Sequence, residues 1–114
     1  MNSDQKNLWQ EHYEQFTIGK LHSGEFLYRC VQNVLEFDQT SPVPIVFVDH
    51  LDPELLLIFP YIQCMVTRKG SVLSHLSILA REYDITVFCA DWPVTMPKSG
   101  RVNVNIKRNV ISIC

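Results

Sequence analysis

The run Ile45-Val-Phe-Val48 constrains this chain most: four consecutive apolar residues, three of them β-branched, ending at the polar pair Asp49-His50. A strand of that kind offers no face to water, so it is covered on both sides, which is the habit of parallel strands flanked by helices. The residues after it agree. In Asp52-Pro53-Glu54 the Asp caps free amides, the Pro fits a first helical turn and the Glu suits the positive end of the dipole, so a short helix is expected, with Pro60 ending it or its last turn. Cys64-Met-Val66 is a second brief apolar strand and Ile85-Thr-Val-Phe-Cys89 a third. Between them a polar turn from Thr67 to Ser71 leads into a helix capped by Ser71 or Ser74, with Leu76, Leu79, Ala80 and Tyr83 on one stripe and Ser77, Arg81 and Glu82 toward its other faces.

The flanks complete the pattern. Glu25 to Leu35 alternates loosely and reads as a strand, and Asp38 to Pro44 is a loop. Val102, Val104 and Ile106 alternate with Arg101, Asn103 and Asn105, and Lys107-Arg-Asn109 then separates them from Val110-Ile-Ser-Ile113, which is a hairpin signature. Ser3 to Gln15 is expected to be a helix, with Trp9, Tyr13 and Phe16 on one face that docks on its own domain or, alternatively, on a partner. The expected fold is α/β, a mixed sheet with short flanking helices and a C-terminal hairpin.

With 114 residues the chain has room for one domain, large enough to bury about two-thirds of its unfolded surface. A net charge of −2 with scattered basic residues argues against nucleic acid; Lys98, Arg101, Lys107 and Arg108 read as a solvated strand face. The longest apolar run, Leu55 to Phe59, is too short for a membrane span, and the polar opening from Met1 to Lys6 lacks the apolar core of a signal peptide, so a cytoplasmic setting is expected. Cys30, Cys64, Cys89 and Cys114 form no C-x-x-C pair and sit in or beside apolar runs, as reduced, buried thiols do. His12, His22 and His50 lack metal-ligand spacing and are read as structural or exposed.

His75 stands apart, because a polar turn sets it at the start of a helix. The stretch from Thr67 to Ile85, Thr-Arg-Lys-Gly-Ser-Val-Leu-Ser-His-Leu-Ser-Ile-Leu-Ala-Arg-Glu-Tyr-Asp-Ile, resembles the phosphohistidine loop and helix of the mobile, or swivelling, domain of phosphoenolpyruvate-utilising enzymes, the family of pyruvate phosphate dikinase, phosphoenolpyruvate synthase and rifampicin phosphotransferase. The family pattern, approximately T-x-x-G-G-x-[LT]-[SC]-H-A-A-I-x-A-R-E-x-G-I-P, is met at Thr67, Gly70, Leu73, Ser74, His75, Ile78, Ala80, Arg81, Glu82 and Ile85. Ser23-Gly24-Glu25, Ile45 to Val48 with Leu51 to Glu54, and Val102 to Ile113 extend the resemblance over roughly Thr17 to Ile113. Departures fall at Ser71, where the family has a second Gly, at Leu76 and Ser77 for two alanines, at Asp84 for Gly, at Thr86 for Pro, and at Lys107-Arg-Asn109 for a D-G turn.

The resemblance implies a swivelling phosphohistidine domain over residues 17–114, preceded by an N-terminal helix or linker over 1–16. It implies that His75 accepts a phosphoryl group from an ATP-grasp nucleotide-binding domain or subunit and passes it to an acceptor of the pyruvate or phosphoenolpyruvate type, or another small molecule, on an acceptor-binding domain. Thr67, Gly70, Ser71, Ser74 and Arg81 are then the phosphate-binding residues, with an Arg81 pairing to Glu82 or Glu54 as the plainer reading. This chain would hold no cofactor of its own, ATP and magnesium lying on the partner, and it would be a phosphotransferase component unable to turn over alone. The alternative is a catalytically silent interaction or regulatory module of the same fold, motivated by Ser71 and by Leu76, whose bulk beside the histidine is expected to narrow access.

Overall fold

The computed structural model describes residues 9–17, 19, 21–68 and 75–113 of the chain, with backbone only for 15–17. Eight strands, β1 (Gln10–His12), β2 (Glu14–Thr17), β3 (Gly24–Cys30), β4 (Ile45–Val48), β5 (Cys64–Thr67), β6 (Thr86–Cys89), β7 (Ser99–Asn105) and β8 (Val110–Ile113), form one sheet in the order β1-β8-β7-β3-β4-β5-β6-β2. The run β3-β4-β5-β6 is parallel and the other pairings are antiparallel, so the sheet is mixed as the alternation of apolar runs and helices predicts. Among the described residues one α-helix, α1 (His75–Glu82), lies between β5 and β6, while Val34–Glu36 and Pro53–Tyr61 are 3-10 segments.

The N-terminal segment corrects the helix expected over Ser3 to Gln15, since its described part is strand, β1 and β2. Trp9 and Tyr13 are four apart, a spacing that satisfies a period of 2 as well as one of 3.6. Both rings turn inward: Trp9 meets Phe47 edge-on at 6.1 Å and Tyr13 stacks on Phe88 at 3.8 Å. Tyr13 alone separates β1 from β2, yet these are the two outermost strands of the sheet. One residue spans only a few ångströms, so the sheet must curl until its edges nearly meet. Tyr13 holds that junction, donating its backbone N–H to the Asn109 carbonyl at 3.0 Å and its hydroxyl to the Asn105 carbonyl at 3.4 Å.

Curling gives the sheet an inside and an outside. Tyr28, Ile45, Phe47, Cys64, Val66 and Phe88 point inward, where the aromatic rings fill the space. Val46, Val48, Met65 and Val87 point outward and are covered by Leu55, Ile58 and Phe59 of the 3-10 segment and by Leu76 and Ala80 of α1. Burial on both faces is thus met at β4, whose four residues are at most 3% exposed.

Three boundaries differ from the sequence reading. β3 stops at Cys30 instead of continuing to Leu35, because Asn33 accepts a hydrogen bond from the Leu35 amide at 2.9 Å and starts a 3-10 turn. Asp52 caps as expected, accepting from the Glu54 amide at 3.0 Å, but the segment is 3-10 and passes through Pro60 to Tyr61. On α1 the buried residues are Leu76, Ser77 and Ala80, and Tyr83 is 52% exposed, a stripe rotated toward Ser77, whose small side chain lets the helix lie close. The helix ends on Asp84 at φ 59°, with Ile85 N–H bonded to the Ala80 carbonyl and Asp84 N–H to the Arg81 carbonyl, the paired bonds of a Schellman cap that usually takes glycine.

Candidate functional site

The four parallel strands end on one rim of the sheet, at Cys30, Val48, Thr67 and Cys89, the place where open α/β sheets gather ligands and chemistry. From the end of β5 the chain leaves toward α1, and His75 is the first residue of that helix, with its side chain exposed. The first amides of a helix have no partner within it, and the peptide dipoles add there to a partial positive charge, so an anion borne by a residue at this position is favoured. Leu76 turns the other way, 3% exposed and packed between helix and sheet, so the expected narrowing of access to His75 does not occur through its side chain.

The other sequence-predicted residues divide. Thr67 is fully buried at the end of β5, and its hydroxyl donates to the Asp49 carbonyl at 3.4 Å, tying β5 to the chain leaving β4. Arg81 is exposed in the last turn of α1; six residues of helix rise carry it about 9 Å along the axis from His75, so the helix does not bring the two together. Gly70, Ser71 and Ser74 lie outside the described residues, as does Leu73.

One cluster on the rim has no counterpart in the sequence reading. Arg68, directly after β5, donates from Nε to the Trp92 carbonyl at 2.8 Å, pairs through Nη1 with the Asp49 carboxylate, and lays its guanidinium 3.7 Å above the Trp92 ring. Its backbone N–H bonds to the Val48 carbonyl at 3.1 Å and its carbonyl accepts from the Cys89 thiol at 3.7 Å. Trp92 in turn donates from Nε1 to the Val48 carbonyl at 3.1 Å. Neither Arg68 nor Trp92 belongs to a recognisable spacing, being 24 residues apart; the one signal in the chain was a cation placed immediately after a buried strand.

Beside this cluster two hollows adjoin along the rim, sharing Val31, Gln32 and Asp49. Cys30 lines one of them, and its thiol, which donates to the Pro97 carbonyl at 3.5 Å, is pushed up to about 11 by burial against the pull of Arg68 and Lys98. Burial also raises the thiols of Cys64 and Cys89, so all three stay protonated at neutral pH and are poor nucleophiles. Among the described residues no three His, Cys, Asp or Glu side chains are placed to hold a metal ion together, and no helix is long and apolar enough to cross a membrane.

A crystal structure of aconitase X from Thermococcus kodakaraensis, in its holo-form, shares this fold with a TM-score of 0.60 over 93% of this chain and 98% of that chain, at 10% sequence identity. No curated protein matches the sequence. The family model of the PEP-utilising enzyme mobile domain matches residues 40–100, which run from the loop before β4 through the rim, His75 and α1 to the start of β7. The chain therefore belongs to the family of PEP-utilising enzyme mobile domains.

Proposed function

We propose that this domain is a phosphohistidine carrier. His75, exposed at the first turn of α1 within the matched family segment, is the observation that supports it. A neutral imidazole nitrogen attacks the phosphorus of a nucleotide phosphate in line; the N–P bond forms as the P–O bond breaks, and the nucleotide fragment leaves with that electron pair. In the second half the acceptor oxygen attacks the same phosphorus, the N–P bond breaks and the imidazole is restored. The helix dipole at the start of α1 favours the phosphoryl dianion between the two steps, and Gly70, Ser71 and Ser74 are proposed to contact its oxygens. Thr67, with its hydroxyl on the Asp49 carbonyl, serves by holding the strand end. Arg81, at the far end of the helix, is proposed as a contact to the partner protein.

The donor is an ATP-grasp domain or subunit, which would bind ATP with magnesium, and the acceptor is a small molecule of the pyruvate type on a further domain. Likeness of fold to aconitase X carries neither role, since a fold does not specify a chemistry; the motif around His75 does the distinguishing. The test is to incubate the chain with labelled ATP and the ATP-grasp domain of a pyruvate phosphate dikinase. An acid-labile, base-stable adduct is expected on the wild type and none on His75→Ala. Binding without any adduct on the wild type would instead favour a silent interaction module.

A further inference from the structure

We infer that Ile78 and Leu79 form the apolar contact on which the phosphoryl donor docks, an inference that deepens the carrier reading and rests on it. On a helix surface the neighbours of a residue are those three and four positions on, with Cβ atoms about 5–6 Å away. For His75 on α1 these are Ile78 and Leu79. Helical side chains lean toward the N-terminus of their helix, so both reach back over the turn that carries His75. A face that met only water would carry charge there, as Arg81 and Glu82 do further along. Instead Ile78 is 47% exposed, and Leu79 is partly buried, with one flank packed against the layer between α1 and the sheet. Tyr83, 52% exposed with its ring edge-on to Phe59 at 5.5 Å, follows four residues after Leu79, and Arg81 and Glu82 are exposed beside it. Apolar surface with a charged border is the anatomy of a protein interface. The occupant follows from the position of the contact beside His75. Transfer brings the donor's phosphorus within about 3–3.5 Å of the imidazole, and the nucleotide is itself held by a protein, so the body that delivers it to His75 also covers the adjacent turn of α1. That body is the nucleotide-loaded donor domain. Ile78 and Leu79 take no part in bond making, so their contribution appears in the donor concentration needed for transfer and not in the rate once the donor is bound.

The test measures single-turnover phosphorylation of the full chain by ATP, magnesium and the ATP-grasp domain of a pyruvate phosphate dikinase, with the donor varied in excess and its affinity measured separately by calorimetry. Ile78→Gln keeps a long side chain of good helix propensity and removes the apolar surface. The expected result is a half-saturation and a Kd raised about fivefold or more, with the saturating rate per folded molecule within about twofold of wild type. Ile78→Leu is expected to stay within about twofold of wild type in all three. Leu27→Gln serves as the control, because Leu27 is 50% exposed on β3, which among the described residues makes no contact with α1; it is expected to change none of them. An unchanged half-saturation in Ile78→Gln, an equal rise in Leu27→Gln, or a loss confined to the saturating rate overturns the inference. A wild type that binds the donor and takes no phosphoryl group overturns the carrier reading alone; the docking surface is then decided by affinity, which Ile78→Gln weakens if the inference holds and leaves unchanged if it fails. A wild type that does not bind the donor overturns both.

Discussion

At the scale of single residues, the assignment turns on two neighbours that face opposite ways. His75 is exposed and Leu76 is 3% exposed in the layer between α1 and the sheet, so helical rotation separates the proposed phosphoryl acceptor from a structural side chain. Leu76→Ala is therefore expected to cost about 2–4 kcal/mol in stability, read by chemical denaturation, and to leave the phosphorylation rate per folded molecule unchanged. A faster rate would show that the leucine does gate access. The proposal for His75 was reachable from the sequence because nine positions around it agree with one pattern. Arg68 lies inside that same stretch and was not legible, because its partners Asp49 and Trp92 come from the ends of other strands. A local pattern carries no information about contacts that only the parallel sheet brings together.

Among elements, those with a single consistent period were readable. Ile45–Val48, the alternating Val102 and Val104 and the hairpin ending at Ile113 all occur where expected. The N-terminal segment was not, since the spacing of Trp9 and Tyr13 suits strand and helix alike and only pairing with β8 and β6 decides between them. The closing hairpin dispenses with the family's D-G turn by placing Asn109 at φ 55°, a left-handed conformation that asparagine tolerates and β-branched residues do not. Asn109→Val is expected to destabilise the protein by about 1–2 kcal/mol in equilibrium unfolding. The loss reaches beyond the hairpin, because the Asn109 carbonyl also receives the Tyr13 amide that closes the sheet. An unchanged midpoint would mean that the turn has little part in that closure.

For the whole molecule, curling the sheet encloses an aromatic interior that no periodicity announces, since closure depends on one residue, Tyr13, between the two outermost strands. Burial pushes both Tyr13 and Tyr28 from 10.0 up to about 12, with Cys64 and Cys30 respectively adding to the rise. The unfolded chain ionises these phenols near pH 10 and the folded one only near 12, so rising pH favours unfolding across that interval. Stability measured by denaturant titration is expected to lose nothing from these groups below pH 10 and to fall from there toward pH 12, less steeply in Tyr13→Phe. The same rim-and-interior arrangement leaves His75 at the surface, where a separate donor can reach it. The most direct measurement maps the phosphoryl group by peptide fragmentation that preserves the N–P bond, after the chain has met ATP and an ATP-grasp domain that binds it. The adduct is predicted on His75 and on none of His12, His22 or His50, and it disappears in His75→Ala; no adduct on the bound wild type, or an equal adduct in the variant, would contradict the assignment.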